Sequence, residues 1–194
     1  MFEQDIYLYS DGQTLKNKLG ILDPEVLKDA EDKLATIKHE GALQIALCAN
    51  EISLDTYKAI HKHLLYDLYP WAGKIRTCDL AKQATLFCKP SFIESQAKEI
   101  FQKLQDEKYH VDLQITEYAE KLAILYGDVN MLHPFREGNG RTQKILFQGV
   151  AAKSGRSIYW ERISTNEHIE AVIDEQKGKP RKMIELFERA VGQL

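Results

Sequence analysis

Apolar side chains return every three to four residues along most of this chain, and residues that start or stop helices bound each such stretch. Asp23-Pro24-Glu25 reads as a helix start, because aspartate caps, proline suits the first helical position and glutamate favours the positive end of the dipole. Leu27, Ala30, Leu34 and Ile37 follow at helical spacing, with Gly41 a stop or kink. Ser53 opens a second helix carrying Tyr57, Ile60, Leu64 and Leu68, and Pro70 and Gly73 end it. Ser91 with Glu94 forms a capping box ahead of Ile93, Ala97, Ile100 and Leu104. Tyr118, Leu122, Leu125 and Val129 mark the next helix, and Ile145, Gly149 and Ala152 the one after. Ser164 with Glu167 caps another, and Met183, Leu186 and Ala190 stripe the last. A short helical piece is expected at Leu15 to Leu19, stopped by Gly20. Lys74 to Cys88 breaks the pattern with β-prone residues and predicts a hairpin around Ala81 to Ala84. The predicted fold is mainly α, a bundle of about seven or eight helices with one small β-hairpin.

The chain has 194 residues, enough for one domain with a proper core. No apolar run reaches the length of a membrane span. Met1-Phe2-Glu3-Gln4-Asp5 lacks the basic-then-apolar layout of a signal peptide, so the expected location is the cytoplasm, with export by a route that reads no such signal as the alternative. A net charge of −3 offers no basic field, so neither nucleic acid nor membrane is an expected direct partner. Cys48, Cys78 and Cys88 lack metal-like spacing and read as free thiols of a reducing compartment.

Residues 133 to 141 read His-Pro-Phe-Arg-Glu-Gly-Asn-Gly-Arg, just ahead of an apolar periodic segment. A glycine turn entering a helix makes an anion site, since unpaired N–H groups and the helix dipole converge there. Gly138 and Gly140 let backbone approach a phosphate, and Asn139 can donate to a phosphoryl oxygen. Arg141 and, one turn on, Lys144 place two cations for successive phosphates on one expected helix face. Glu137 supplies hard oxygen for Mg²⁺ shared with the phosphates. His133 titrates near neutrality and suits a general base, while Phe135 reads as a core plug. The remaining histidines, His61 among them, read as surface or packing residues. No activated serine or cysteine adjoins His133, so the nucleophile belongs to a second substrate, a hydroxyl that receives a phosphoryl-linked group.

In these residues the chain resembles the Fic-domain family, whose motif is His-x-Phe-x-(Asp/Glu)-Gly-Asn-Gly-Arg-x-x-Arg; His133 to Lys144 matches it everywhere but at the last position. Ala59 to Leu64, with Trp71 to Arg76 close behind, resembles the family's helix leading into its hairpin, and the early Tyr7-Leu8-Tyr9, Leu15 to Gly20 and Asp23 to Glu25 resemble the N-terminal part of stand-alone bacterial members. The resemblance implies a single Fic-type domain over 1–194, with a core at 53–155, an N-terminal extension at 1–52 and C-terminal helices at 156–194. It implies protein adenylylation: ATP binds with Mg²⁺, and AMP passes to a hydroxyl of a target protein. His133 would be the base, Glu137 the metal ligand, and Gly138, Asn139, Gly140, Arg141 and Lys144 the phosphate site. The hairpin, with Leu80, Lys82, Thr85 and Phe87, would be the flap that clamps the target as an added strand.

Lys144 departs from the family's second arginine, keeping the charge but losing the fork. A weakly active or non-catalytic nucleotide-binding module, or transfer of a different nucleotide-derived group, is therefore the alternative. Thr36, Glu40 and Gly41 fit the family's inhibitory pattern (Ser/Thr)-x-x-x-Glu-(Gly/Asn), and a separate small antitoxin is the other expected control. Topoisomerase subunits are the targets implied by the toxin branch, and a secreted, host-directed effector is the variant.

Overall fold

The computed structural model describes residues 5–82 and 85–193. Its elements run α1 (Pro24–Cys48), α2 (Leu54–Leu65), β1 (Ala81–Lys82), β2 (Thr85–Leu86), α3 (Pro90–Asp106), α4 (Ile115–Leu132), α5 (Asn139–Lys153), β3 (Arg156–Ile158), α6 (Thr165–Gln176), α7 (Arg181–Ala190) and β4 (Val191–Gln193). Seven α-helices and one small hairpin thus make up the expected mainly helical bundle among the described residues. β1 pairs antiparallel with β2, joining Ala81 to Leu86 and Lys82 to Thr85. The two residues between these strands, Gln83 and Ala84, lie outside the described set. A second two-stranded pairing, β3 with β4, has no counterpart in the expected elements.

Asp23 caps α1 as expected, its carboxylate accepting from the amides of Glu25 and Val26. The Ser53 hydroxyl caps α2, and Ser164 with Glu167 closes a capping box on α6. At α3 the start shifts: Lys89 is the cap residue and Pro90 the first helical one, so Ser91 sits inside the helix with no capping bond. Leu15 to Leu19 forms no helix; Leu8 and Leu15 bridge antiparallel instead, and the Asn17 side chain bonds the carbonyls of Leu15 and Ile21.

α1 continues for 25 residues straight through Gly41. A Cβ at that position would strike the His63 ring of α2, so the glycine serves a close helix crossing and not a stop. The buried stripe of α1 is Leu27, Glu31, Ala35, Ala42 and Ala46. Ile37 lies off it, 77% exposed. The shift puts a carboxylate, Glu31, in the interior. α4 and α5 run through the centre of the core, with Leu122, Val129, Leu146 and Phe147 fully enclosed. The loop between them, residues 133 to 138, therefore springs from two helices anchored in the core.

Candidate active site

His133 is the C-cap of α4 and holds a left-handed conformation, φ 39° and ψ 59°. A non-glycine residue there is strained, and surrounding structure must impose it. The imposition is visible in Arg76. Its side chain donates to the carbonyls of His133 at 2.8 Å, Cys78 at 2.6 Å and Cys88, and its own amide donates to Pro134 O at 2.8 Å. One buried guanidinium thus ties the strained turn to both flanks of the hairpin.

The His133 ring stacks on Phe87 with centroids 3.8 Å apart. Its Nδ1 lies 3.3 Å from the Asn130 carbonyl. A carbonyl only accepts, so Nδ1 carries the proton and Nε2 keeps a lone pair. Burial pushes the imidazole down to about 4; the Asn130 bond opposes this, and Arg76 and Lys82 add to it. At neutral pH the ring is a free base.

The motif's second aromatic is a buried plug. Phe135 stacks on His61 at 3.8 Å and meets Tyr57 edge-on at 5.1 Å. His61 accepts the Gly73 amide at Nδ1, 2.8 Å, so its Nε2–H donates to Glu137 O at 2.9 Å. This fully buried histidine, pushed by burial to about 4, fastens the loop from below. Residue-type reasoning had no means to single it out from the other histidines, since its partners are backbone atoms distant in sequence.

Gly138 caps α5 with φ 79°, and a Cβ there would sit 2.5 Å from Leu65 Cδ1. Both the turn and the packing require glycine. Gly140 is different: a Cβ would meet nothing within 4 Å, so its bareness leaves open space over the helix start. The first amides of α5 have no partner within the helix. Asn139 is buried and spends its amide on the loop, accepting from Phe135 N at 2.9 Å and donating to Phe135 O at 2.8 Å. One N–H of the Asn139 amide thus closes the turn, while the residue still borders the cavity described below. Glu137 is exposed at the rim, with Gly138 N donating to Oε1 at 2.9 Å.

A cavity of about 270 Å³ opens over this helix start. His133, Glu137, Asn139 and Gly140 form one side. Ile169, Val172 and Ile173 of α6 form the other. Sequence reasoning missed this α6 wall, because its apolar spacing reads as core. Lys82 and Phe87 bring the flap to the mouth. Thr85 Oγ1 donates to Gln176 Oε1 at 2.9 Å, so flap and α6 are joined. Phe87 N donates to Leu80 O at 3.1 Å and closes the base of the hairpin.

Arg141 and Lys144 do not share a face of action. Arg141 turns to α1, ion-paired with Glu31 and, at 3.0 Å, with Asp32. Lys144 lies 5.3 Å over the Trp160 ring, half-buried, its ammonium pKa lowered by burial. Neither borders the cavity. Adjacent placement of the two cations is therefore corrected: the carboxylates of α1 draw one away, and the indole holds the other. Thr36 and Glu40 are exposed on α1; Thr36 bonds Asp32 O and Glu40 accepts from Gln44 of its own helix at 3.0 Å. Glu40 pairs with no motif cation among the described residues. Arg141 meets Glu31 and Asp32 instead, more than two helical turns before Glu40.

Residues 51–151 match the family described as Fic/DOC. Along 190 residues the chain is 30% identical to the probable protein adenylyltransferase Fic of Salmonella typhimurium, covering 98% of this chain and 94% of that protein. It is 35% identical over 183 residues to the protein adenylyltransferase VbhT of Bartonella schoenbuchensis, spanning 93% of this chain but 38% of that longer protein. Among solved structures, BepC of Bartonella tribocorum with bound AMPPNP superposes with a TM-score of 0.86 at 23% identity, covering 97% of each chain. The ADP-bound N-terminal Fic domain of a Bartonella quintana effector gives 0.86 at 25% identity, covering 96% of this chain and 94% of that one.

Proposed function

Because the chain belongs to the Fic/DOC family, we propose that it is a protein adenylyltransferase that moves AMP from ATP to a hydroxyl side chain of a target protein. One observation carries this reading: a neutral imidazole, His133, with Nδ1 committed to Asn130 O and Nε2 unbonded among the described residues, borders a cavity of about 270 Å³ beside the start of α5. Nε2 takes the proton of the target hydroxyl. The hydroxyl oxygen forms a bond to the α-phosphorus, the bond from that phosphorus to the β-phosphate oxygen breaks, and pyrophosphate leaves. The unpaired amides at the start of α5 receive phosphate oxygens. The α6 wall of Ile169, Val172 and Ile173 gives the base an apolar seat.

No group of three or more metal-ligating side chains occurs among the described residues. Mg²⁺ fits this poverty, since it is commonly held by one or two carboxylates with substrate phosphates. Glu137 would be its protein ligand, and the ion would neutralise phosphate charge. The target segment adds as a strand to the hairpin, beside Lys82 and Thr85. A cytoplasmic topoisomerase subunit is the target favoured by likeness to toxin-type members, with control by a small antitoxin. No helix among the described residues is long and apolar enough to cross a membrane.

A second reading, a nucleotide-binding module of low activity, is favoured by the placement of Lys144 over Trp160, away from the cavity. The deciding experiment follows label from α-labelled ATP into protein in a cell lysate. Wild type should label a discrete band and His133→Ala none. Equal labelling by both removes His133 from the reaction. A large gain in Lys144→Arg supports the low-activity reading.

A further inference from the structure

Three buried side-chain polar atoms lack a hydrogen-bond partner among the described residues: Trp71 Nε1, Asn130 Nδ2 and Gln148 Oε1. Native interiors rarely leave such groups unmatched, because an unsatisfied buried donor is destabilising. Of the three residues, Asn130 alone borders the cavity that holds His133. It is 8% exposed. It stands one helical turn before His133 on α4, so the two side chains rise from the same face.

The two halves of Asn130 have separate work. Its backbone carbonyl fixes the tautomer of His133. That bond survives any side-chain substitution. The side-chain Nδ2 makes no hydrogen bond among the described residues, so hydrogen bonding among them gives no reason for a donor there. The reason must come from what enters the cavity.

We propose that the Asn130 amide is a substrate-binding group of the reaction centre, donating to a non-bridging oxygen of the nucleotide's α-phosphate. This rests on the adenylyl-transfer reading above. The chemistry selects the acceptor. The group beside the base is the attacking hydroxyl, whose oxygen lone pair must stay available for bond formation. The atom it attacks is the α-phosphorus, whose non-bridging oxygens carry charge through the transition state and gain from a fixed donor. The amides at the start of α5 are left for the remaining phosphates, and Glu137 would hold the ion.

The test compares wild type, Asn130→Ala and Asn130→Asp, using ATP and the two diastereomers of α-thio-ATP, in which sulfur replaces one or the other non-bridging α-oxygen. The isosteric Asn130→Asp keeps the shape, removes the donor and serves if the alanine variant fails to fold. With ATP, kcat should fall on the order of 100-fold in either folded variant while KM changes less than about threefold. The ratio of rates with the two diastereomers should move at least fivefold from its wild-type value, a change that loosened packing would not produce. The acid limb of the pH profile should stay in place, because the carbonyl still holds His133. An unchanged diastereomer ratio with near-normal kcat overturns the proposal while leaving adenylyl transfer intact. Absence of any transfer by wild type instead overturns the reading on which it rests.

Discussion

Arg141, in the first turn of α5, is ion-paired with Glu31 of α1. The Tyr69 hydroxyl donates to the other oxygen of the same carboxylate. Glu31 is 6% exposed, so its charge depends on these partners. Removing one member of such a pair strands the other. Arg141→Ala should lower the unfolding free energy by about 2 to 3 kcal/mol, at or below the bottom of the buried-pair range because a third of the Arg141 side chain is solvated. Adding Glu31→Gln should restore most of that loss. Denaturant titration of the two single variants and the double variant checks this; additive losses would show that the pair is not coupled.

His61 links acidity to loop integrity. Its pKa is pushed down to about 4 by burial, below the ordinary 6.5, so unfolding takes up a proton in the interval between. The stabilisation is fully present above pH 6.5 and is lost as the pH falls toward 4. His133 adds in the same sense over the same interval. Thermal unfolding should therefore show falling stability across this window. His61→Gln should be less stable at neutral pH and show a shallower slope. An equal slope in the variant would remove His61 from the titration.

For catalysis the same sign places the active form of His133 on the alkaline side. The base is deprotonated above about 4, so kcat/KM should stay level from neutrality down through pH 6, where an ordinary histidine would already lose activity. A break near 6.5 in the free enzyme would contradict the buried setting described above.

The bond from Thr85 to Gln176 spans the mouth of the cavity. A single neutral hydrogen bond contributes about 1 kcal/mol, which converts to roughly fivefold in a rate. Thr85→Val should speed nucleotide release by about that factor without altering its association. Stopped-flow displacement of a fluorescent ATP analogue measures both. Unchanged release would mean the hairpin does not retain nucleotide.

Arg76 is the fifth point of test. Lysine in its place keeps charge but cannot reach three carbonyls in one plane. Arg76→Lys should reduce transfer by on the order of 100-fold through misplacement of His133, with ATP affinity changed only a few-fold. Equilibrium binding measured beside transfer separates the two effects.

Helix existence and the loop motif were legible because both depend on near neighbours. Asp23, Ser53, Ser164 and the glycines of the turn act within a few residues of themselves. Contacts across the fold were not. Periodicity puts Ile37 inside and cannot know that Arg141 and Tyr69 make Glu31 a tolerable interior residue. Gly41 looks like a terminator until His63 is seen against it. His61, Arg76 and the α6 wall act through partners on other elements, many of them backbone atoms that no residue type announces. Asn139 carries a donor that suits phosphate equally well on paper; only the path of Phe135 shows where it is engaged.

The grip of Arg76 on Cys78, Cys88 and His133 makes the hairpin and the base one mechanical body. Under the proposed function, a polypeptide added to the hairpin would load the same side chain that holds the His133 turn. Docking and alignment would then arrive together, and a poorly seated passenger would meet a poorly aimed base.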